Sequence, residues 1–138
     1  MRKPLMAMAA AAFAVVGFAA PAQATVNDVN MSFGMAYGNS TTSGTIHFTD
    51  GYTATVSGAV HAASGARQVC VQGVNGGAQT GVVCSDWAYA GEANQPLGAS
   101  LRIAVAGGVQ RVYIWMNDEA GALLAQEFCT RNGCTRQL

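Results

Sequence analysis

The sequence predicts an all-β protein, a small immunoglobulin-like antiparallel β-sandwich of about seven strands that is stabilised by two disulfides. Three observations predict this fold class: apolar residues recur with a period of two, turn residues separate the alternating runs, and the chain has four cysteines. The chain has 138 residues, of which 51% are hydrophobic and 10% are charged. It is therefore long enough for one domain with a core, and its charge is too low for a disordered chain.

The first 24 residues have the three regions of a secretory signal peptide. Residues 1–3 are positively charged, Leu5 to Ala20 form an apolar run, and Ala22-Gln23-Ala24 supplies the small residues that a signal peptidase requires. We expect cleavage after Ala24, which leaves residues 25–138 as one β-sandwich domain. The alternative, a retained membrane anchor, is disfavoured because the apolar run is shorter than the roughly 20 residues that span a bilayer.

The exported part of the chain has a small acidic excess. Residues 25–138 contain seven acidic residues, five arginines and no lysine. This charge disfavours a protein that binds nucleic acid through its phosphates, and we expect no membrane contact after cleavage. The abundance of alanine, glycine, threonine and valine is typical of bacteria with GC-rich genes. We therefore expect a secreted, extracellular protein of a bacterium.

The first predicted elements are a strand, a loop and a hairpin. Apolar residues alternate with small or polar ones over Val29–Tyr37, which predicts a strand with one buried face. Residues 38–44 are all Gly, Asn, Ser or Thr and predict a loop. Strands over 45–48 and 52–60 then form a hairpin with a three-residue turn. That turn pairs Phe48 with Tyr52, whereas a two-residue turn would place apolar residues opposite polar ones.

A second hairpin is predicted over 67–74 and 80–89. If its centre is Gly77, Cys70 lies directly opposite Cys84. Directly opposed strand residues are within disulfide reach. The hairpin geometry therefore favours a bridge between these two cysteines.

Four cysteines in an exported chain imply two disulfides. We predict Cys70–Cys84 and Cys129–Cys134, which leaves no free thiol. The alternative is a bridge between two sheets, of the immunoglobulin kind, that joins Cys70 or Cys84 to Cys129. We expect no metal site, because there is no second CxxC-type pair and export favours oxidation.

The last part of the chain predicts a meander of three strands. Strands over 97–105 and 109–116, joined by a two-residue turn at Gly107-Gly108, would pair Ile103 with Val112. After a further turn, a final strand completes the meander. The alanine and leucine content around this turn also permits a helix, which a central glycine opposes.

No group of residues in the sequence indicates catalysis. His47 and His61 are the only histidines, and each is predicted to face solvent from a strand. The G-x-S-x-G motif is absent, and nothing in the spacing of the acidic residues selects a catalytic pair. Disulfides consume the thiols. We therefore expect that the protein is not an enzyme and needs no cofactor.

The strongest indication of a binding site is a group of rings and arginines. Arg111, Tyr113 and Trp115 alternate along one strand and share a face, and the predicted hairpin adds Arg102 opposite Tyr113. Such a face is a stacking platform for a sugar ring or a planar ligand if it is exposed. The alternative is that a second layer of the fold buries it.

The short loop between Cys129 and Cys134 is a second candidate site. It contains Arg131 and Asn132, and a disulfide could present this arginine rigidly to a protein partner, as an inhibitor loop does. The alternative is that the loop only clamps the end of the last strand.

The size, export signal, composition and two short-range disulfides are similar to those of the enediyne apo-chromoproteins of actinobacteria. Cys129–Cys134 has a comparably close spacing, whereas Cys70 and Cys84 lie later and further apart than in that family. The resemblance implies a hydrophobic cleft that carries a small aromatic ligand, and it assigns no binding residue. We therefore expect a non-catalytic binding or structural surface protein with a small ligand or a protein partner. A carrier of a hydrophobic ligand is the first alternative, and a protease inhibitor is the second.

Overall fold

The computed structural model describes residues 28–49 and 51–138, so the predicted signal peptide, residues 1–24, lies outside the described residues. The described part contains eleven strands in two antiparallel sheets and no helix. Seven strands have eight residues or more, which is the predicted number. The expectation of an all-β fold of antiparallel sheets with two disulfides is confirmed, and the helix considered around the last turn does not form.

The strands divide between a four-stranded sheet and a larger one. Sheet A contains, in spatial order, β1 (Val29–Tyr37), β2 (Ser40–Phe48), β3 (Thr53–His61) and β8 (Gln95–Arg102). Sheet B contains, in spatial order, β11 (Gly133–Arg136), β10 (Leu123–Thr130), β9 (Arg111–Asp118) and β4 (Ala66–Asn75), with the short strands β5 (Ala78–Gln79), β6 (Val83–Cys84) and β7 (Ala88–Tyr89) along the other side of β4.

The first strand matches its predicted bounds, but the predicted loop over 38–44 is wrong. Only Gly38 and Asn39 form a turn, and β2 begins at Ser40. Ser40 and Thr42 are buried in this strand because their hydroxyls find backbone partners. The Thr42 hydroxyl donates to the carbonyl of Ala59 at 2.7 Å, and the Ser40 hydroxyl accepts from the amide of residue 63 at 3.0 Å. The composition of a segment does not show whether its hydroxyl groups find hydrogen-bond partners nearby.

In the β2–β3 hairpin apolar residues lie opposite apolar residues, as predicted, but the register differs from the prediction. Phe48 lies opposite Ala54 rather than Tyr52, because the connection is two residues longer than expected. A shift of two residues leaves every side chain on its face, whereas a shift of one would reverse all of them. The alternation therefore predicted the faces correctly and left the loop length open.

The β4 hairpin confirms that Cys70 lies opposite Cys84, although its return strand is irregular. At the turn Asn75 pairs with Ala78, and at the far end Ala66 pairs with Tyr89. The register shifts by one residue on each side of the cysteine pair, which breaks the predicted strand 80–89 into β5, β6 and β7. Extra residues of this kind bend and twist a sheet edge.

The predicted hairpin around Gly107-Gly108 is wrong. The strand before these glycines is β8, which pairs with β3 in sheet A, whereas β9 pairs with β4 and β10 in sheet B. Gly108 has a φ of +59°, and a Cβ on it would collide with the carbonyl oxygen of Gly51. The glycine therefore allows two loops to approach closely where the chain crosses from one sheet to the other. It does not form a tight hairpin turn.

The core lies between the two sheets. Its largest fully buried side chains include Phe48 and Ile46 of sheet A and Ile114 and Met116 of sheet B. Each such side chain contributes about 1.5–3 kcal/mol when it leaves water. The inner faces of both sheets are thus occupied, and functional side chains must project from the outer faces or the ends.

Candidate ligand-binding site

Both predicted disulfides are present, Cys70–Cys84 and Cys129–Cys134, and the alternative bridge between the sheets is not formed. Cys70 lies in β4 and is paired in register with Trp115 of β9. Cys129 is fully buried in the core and bridges β10 to β11. The first disulfide therefore stiffens sheet B directly beside the candidate ring platform.

The outer face of sheet B carries the rings that the sequence singled out. Arg111, Tyr113 and Trp115 alternate along β9 with Val112 and Ile114, which are fully buried in the core. Both rings are half-buried, so neither is enclosed by a second layer. The outer face of this strand is thus open to a ligand.

Neighbouring strands hold Tyr113 in place. Phe128 of β10 lies opposite Tyr113, and the two ring centroids are 5.9 Å apart. The Arg111 guanidinium lies 4.2 Å from the centroid of Phe128 and donates to the Tyr113 hydroxyl at 3.2 Å. Arg111 is thus occupied as a clamp on two rings, a cation–π arrangement that fixes their orientation.

Two neighbouring cavities lie on this face and share Tyr113. The first, of about 440 Å³, is lined by Val74, Gly76, Gln110, Arg111, Tyr113 and Thr130. The second, of about 480 Å³, is lined by Gln72, Tyr113, Trp115, Asn117, Leu123 and Gln126. We call the two cavities together the groove. Both are open concavities of the surface rather than enclosed pockets, so a ligand bound there would keep part of its own surface in water.

Carboxamides surround Trp115 in the second cavity. Gln126 of β10 is paired in register with Trp115, Asn117 follows two residues later on β9, and Gln72 of β4 lies opposite Tyr113. The Gln72 amide donates to the carbonyl of Thr80 at 2.9 Å, which fixes its orientation. An aromatic floor with amides at its edges offers both stacking and hydrogen bonds.

Arg102 does not join this face, so the prediction that it lies opposite Tyr113 is wrong. It is paired with Thr53 in sheet A, and its guanidinium lies 5.2 Å from the centroid of Tyr52. The physical reason is the sheet crossing after β8, which carries Arg102 away from β9. Of the residues predicted for the platform, the structure brings together Arg111, Tyr113 and Trp115.

The Arg131 side chain turns inward, contrary to the expectation of an exposed arginine. Its guanidinium donates to the carbonyls of Thr49 at 2.6 Å and Val109 at 3.5 Å, and lies 5.3 Å from the ring centroid of Phe48. Only Asn132 of the pair is exposed. The loop therefore packs against one end of the core between the two sheets, and it does not present an arginine as an inhibitor loop does.

The histidines lie outside the groove. His47 approaches Asp28 at 3.4 Å, and His61 lies 2.9 Å from the Asn94 side-chain oxygen. Both belong to sheet A, and neither lines either cavity. The His47–Asp28 pair is therefore an exposed surface pair rather than part of the site.

Glu127 is the one acidic residue that is buried among the described residues. Its carboxylate accepts from the backbone amide of Gly34 at 3.1 Å. Burial raises the pKa of the Glu127 carboxyl above its usual value of 4.5, and the Gly34 hydrogen bond and the Arg136 charge partly oppose this. Glu127 also lies near Cys129 and Cys134, but the disulfide leaves these sulfurs without the thiolate that a metal needs.

Sequence reasoning missed the groove's amides and Phe128. These residues can be placed only from the register of β4 and β10 against β9. The predicted β8–β9 hairpin gave β9 the wrong neighbour, so this register was not predicted. With the correct neighbours, Gln72 and Gln126 fall beside the rings on either side of β9.

Comparison of the chain with protein-family models, with curated proteins and with solved structures finds no significant match. The similarity to the apo-chromoproteins therefore stays an expectation from size, composition and cysteine spacing. Within the described residues, no helix has the length and apolar character to cross a membrane.

Proposed function

We propose that this chain is a secreted, non-catalytic binding protein that holds its ligand in the groove of sheet B. One observation carries the proposal: two adjoining cavities meet at Tyr113 and expose part of Trp115 on a strand whose other face is locked in the core. Side chains on such a rigid strand are already in position before a ligand arrives, which lowers the entropy cost of binding.

Export is supported by the cysteines. Two disulfides indicate an oxidising environment, extracellular or periplasmic. The predicted signal peptide then accounts for entry into that environment. Mass spectrometry of the culture medium should find a chain that begins at Thr25 with all four cysteines oxidised. A chain that retains residues 1–24 in the membrane fraction would overturn this part of the proposal.

A surface site fits better than the two alternatives. The buried side chains of both sheets occupy the space between them, and the two cavities are lined by residues that face outward. This favours a ligand on the surface over one enclosed within the sandwich. The inward direction of Arg131 removes the feature on which the protease-inhibitor hypothesis rested.

Tryptophan fluorescence tests the site directly. Trp87 lines neither cavity, so a Trp87→Phe variant of the full exported chain leaves Trp115 as its sole tryptophan reporter. We expect at least one probe among cellohexaose, hexa-N-acetylchitohexaose, laminarihexaose and 2-naphthol to change the emission of Trp115 saturably. Calorimetry should show that Trp115→Ala weakens this binding at least about tenfold. No response to any probe, or equal binding by Trp115→Ala, would contradict the proposal.

The strand order supports a finer classification as an immunoglobulin-like sandwich, which we propose for the fold. In that fold, strands A, B and E are neighbours in one sheet and C, F and G in the other. If β2, β3 and β8 are A, B and E, and β4, β9 and β10 are C, F and G, the neighbours agree. The groove then lies on the outer face of the C-F-G sheet. A similarly ordered experimental structure would support this assignment, and a different β3–β8 or β4–β9 pairing would overturn it.

A further inference from the structure

We infer that the ligand of the groove is a neutral oligosaccharide, with one sugar ring stacked on Trp115 and its hydroxyls bonded by the amides of Gln72, Asn117 and Gln126. This rests on the proposed function, because it names the ligand class of the same site.

Trp115 has the placement of a stacking floor. It lies between Cys70 of β4 and Gln126 of β10, and it is half-buried, so its neighbours hold the ring while part of it borders the second cavity. The Cys70–Cys84 disulfide limits movement of the strand beside it. Sugar rings present apolar C–H faces that pack on the electron-rich face of an indole.

The amides match hydroxyl groups at the edge of a sugar ring. A carboxamide donates two hydrogens and accepts at its oxygen, and a hydroxyl both donates and accepts. Gln72 spends one N–H on Thr80 and keeps its oxygen for a ligand. Among the described residues, the side-chain amide of Gln126 has no hydrogen-bond partner, and that of Asn117 makes one long contact, from its nitrogen to Cys70 Sγ at 4.0 Å. A planar ligand without hydroxyls would desolvate these amides and leave them unpaired, which lowers affinity.

The charge at the second cavity favours a neutral ligand. None of its six lining residues is charged. The nearest cation on the same strand face, Arg111, is held by Tyr113 and Phe128 at the other end of the groove. An anion placed over Trp115 would lose water without gaining a charged partner. The first cavity adjoins at Tyr113, so a chain of several sugar rings can continue from one cavity to the other.

Calorimetry on the full exported chain tests the ligand class. The probes are the neutral sugars cellohexaose, hexa-N-acetylchitohexaose and laminarihexaose, with 2-naphthol as a planar aromatic without the hydroxyl pattern. We expect at least one oligosaccharide to bind with a saturable isotherm, and we expect 2-naphthol to bind weakly. Trp115→Ala should weaken oligosaccharide binding at least about tenfold, since stacking supplies a large share of the affinity. Gln126→Ala should weaken it several-fold, and the control Trp87→Phe should leave it unchanged.

Each other outcome overturns the inference in a distinguishable way. If only 2-naphthol binds and Trp115→Ala abolishes that binding, the ligand class is wrong and the proposed function stands. If no probe binds, both fail. If an oligosaccharide binds equally well to Trp115→Ala and Gln126→Ala, the sugar site lies elsewhere. Circular dichroism and a count of free thiols confirm that each variant is folded, and Trp115→Phe, which keeps a smaller ring, should retain intermediate affinity.

Discussion

The outer faces of the two sheets differ in chemistry although their inner faces are alike. Most side chains that project outward from sheet A are short: Ser32, Ala36, Ser43, Thr45, Thr55, Ser57 and Ser100. The longer exceptions are Asn30, His47, His61 and Arg102. Outward from sheet B project the rings of Tyr113, Trp115 and Phe128 between carboxamides. Both inner faces are buried and mostly apolar, with buried polar residues that include Ser40 and Thr42 on sheet A and Glu127 on sheet B. Packing of the inner faces therefore explains the stability of both sheets. The two sheets differ in the side chains of their outer faces, and only those of sheet B offer tyrosine and tryptophan rings on which a ligand could stack.

This contrast has a physical basis in the cross-strand pairs. At the centre of sheet A many outer pairs join serine, threonine and glycine, such as Ser32 with Thr45 and Ser57 with Gly98, which leaves a shallow surface there. On sheet B, long side chains project from three adjacent strands and leave cavities between them. Side chains on neighbouring strands lie about 5 Å apart, so their length decides whether gaps between them reach the size of a ligand.

The largest expected effect comes from the disulfide on the face of sheet B. Cys70→Ala with Cys84→Ala should lower the free energy of unfolding by about 3 kcal/mol, because a bridge across 14 residues restricts the unfolded chain. It should also weaken ligand binding, because Cys70 is the neighbour of Trp115. Urea unfolding and calorimetry measure the two effects.

The second disulfide is the matched control for that prediction. Cys129→Ala with Cys134→Ala should cost about 2 kcal/mol through loop closure, because the two cysteines are only five positions apart. Neither residue lines the groove, so the affinity should stay at the wild-type value. If both pairs affect binding alike, the stiffness of sheet B beside Trp115 is not what positions the ring.

The inner face of sheet A gives the next largest effect. Gly44→Ala should destabilise the protein by about 2 kcal/mol, because a Cβ there would collide with the carbonyl oxygen of Ser57 and lie 2.8 Å from the Phe33 ring. Gly98→Ala on the outer face of the same sheet has no atom within 4 Å and should change stability by less than about 0.5 kcal/mol. Urea unfolding compares them, and equal values would refute a difference between the two faces.

A smaller, pH-dependent effect is expected where the sheets meet. The folded protein raises the pKa of Glu127, so it binds this proton more readily than the unfolded chain does. Stability should therefore fall as the pH rises from about the usual value of 4.5 through the raised pKa. Glu127→Gln keeps an acceptor for the Gly34 amide and should remove this part of the pH dependence.

Denaturant unfolding at several pH values between about 4 and 8 measures the Glu127 effect. In this interval the folded and unfolded states bind the Glu127 proton to different extents. Glu92→Gln is the control, since Glu92 is exposed. A Glu127→Gln protein with the same pH profile as the wild type would show that burial of this carboxylate does not couple to folding.

Alternation and cysteine spacing predicted much of the fold. The strand at Val29–Tyr37 and the opposition of Cys70 and Cys84 follow from local pattern, because side-chain direction in a strand has a period of two. The partner of β9 does not follow, because Leu101 and Ile114 face the same core from opposite sheets and would look equally well matched in a hairpin. Gly107-Gly108 could not resolve this, since glycine serves both tight turns and close approaches.

The candidate site was predictable only along one strand. Arg111, Tyr113 and Trp115 share a face by alternation alone, and this holds whatever strand lies next to them. Gln72 and Gln126 come from β4 and β10, the strands on either side of β9, so their placement required the sheet order. The side chains on which the proposed ligand class rests thus depend on pairing between strands that are distant in sequence or joined by a turn of unknown length.

The smallest effect is expected on the outer face of sheet A, where Thr55→Val removes one hydroxyl and keeps the branched shape of the side chain. Thr55 is exposed and lies between His47 and Ser100, so the free energy of unfolding should change by less than about 0.5 kcal/mol. Ligand affinity should not change, because this face lies across the core from the groove. A loss of affinity in calorimetry would mean that the ligand contacts the outer face of sheet A. The proposed function, which places the ligand on the outer face of sheet B, would then be wrong.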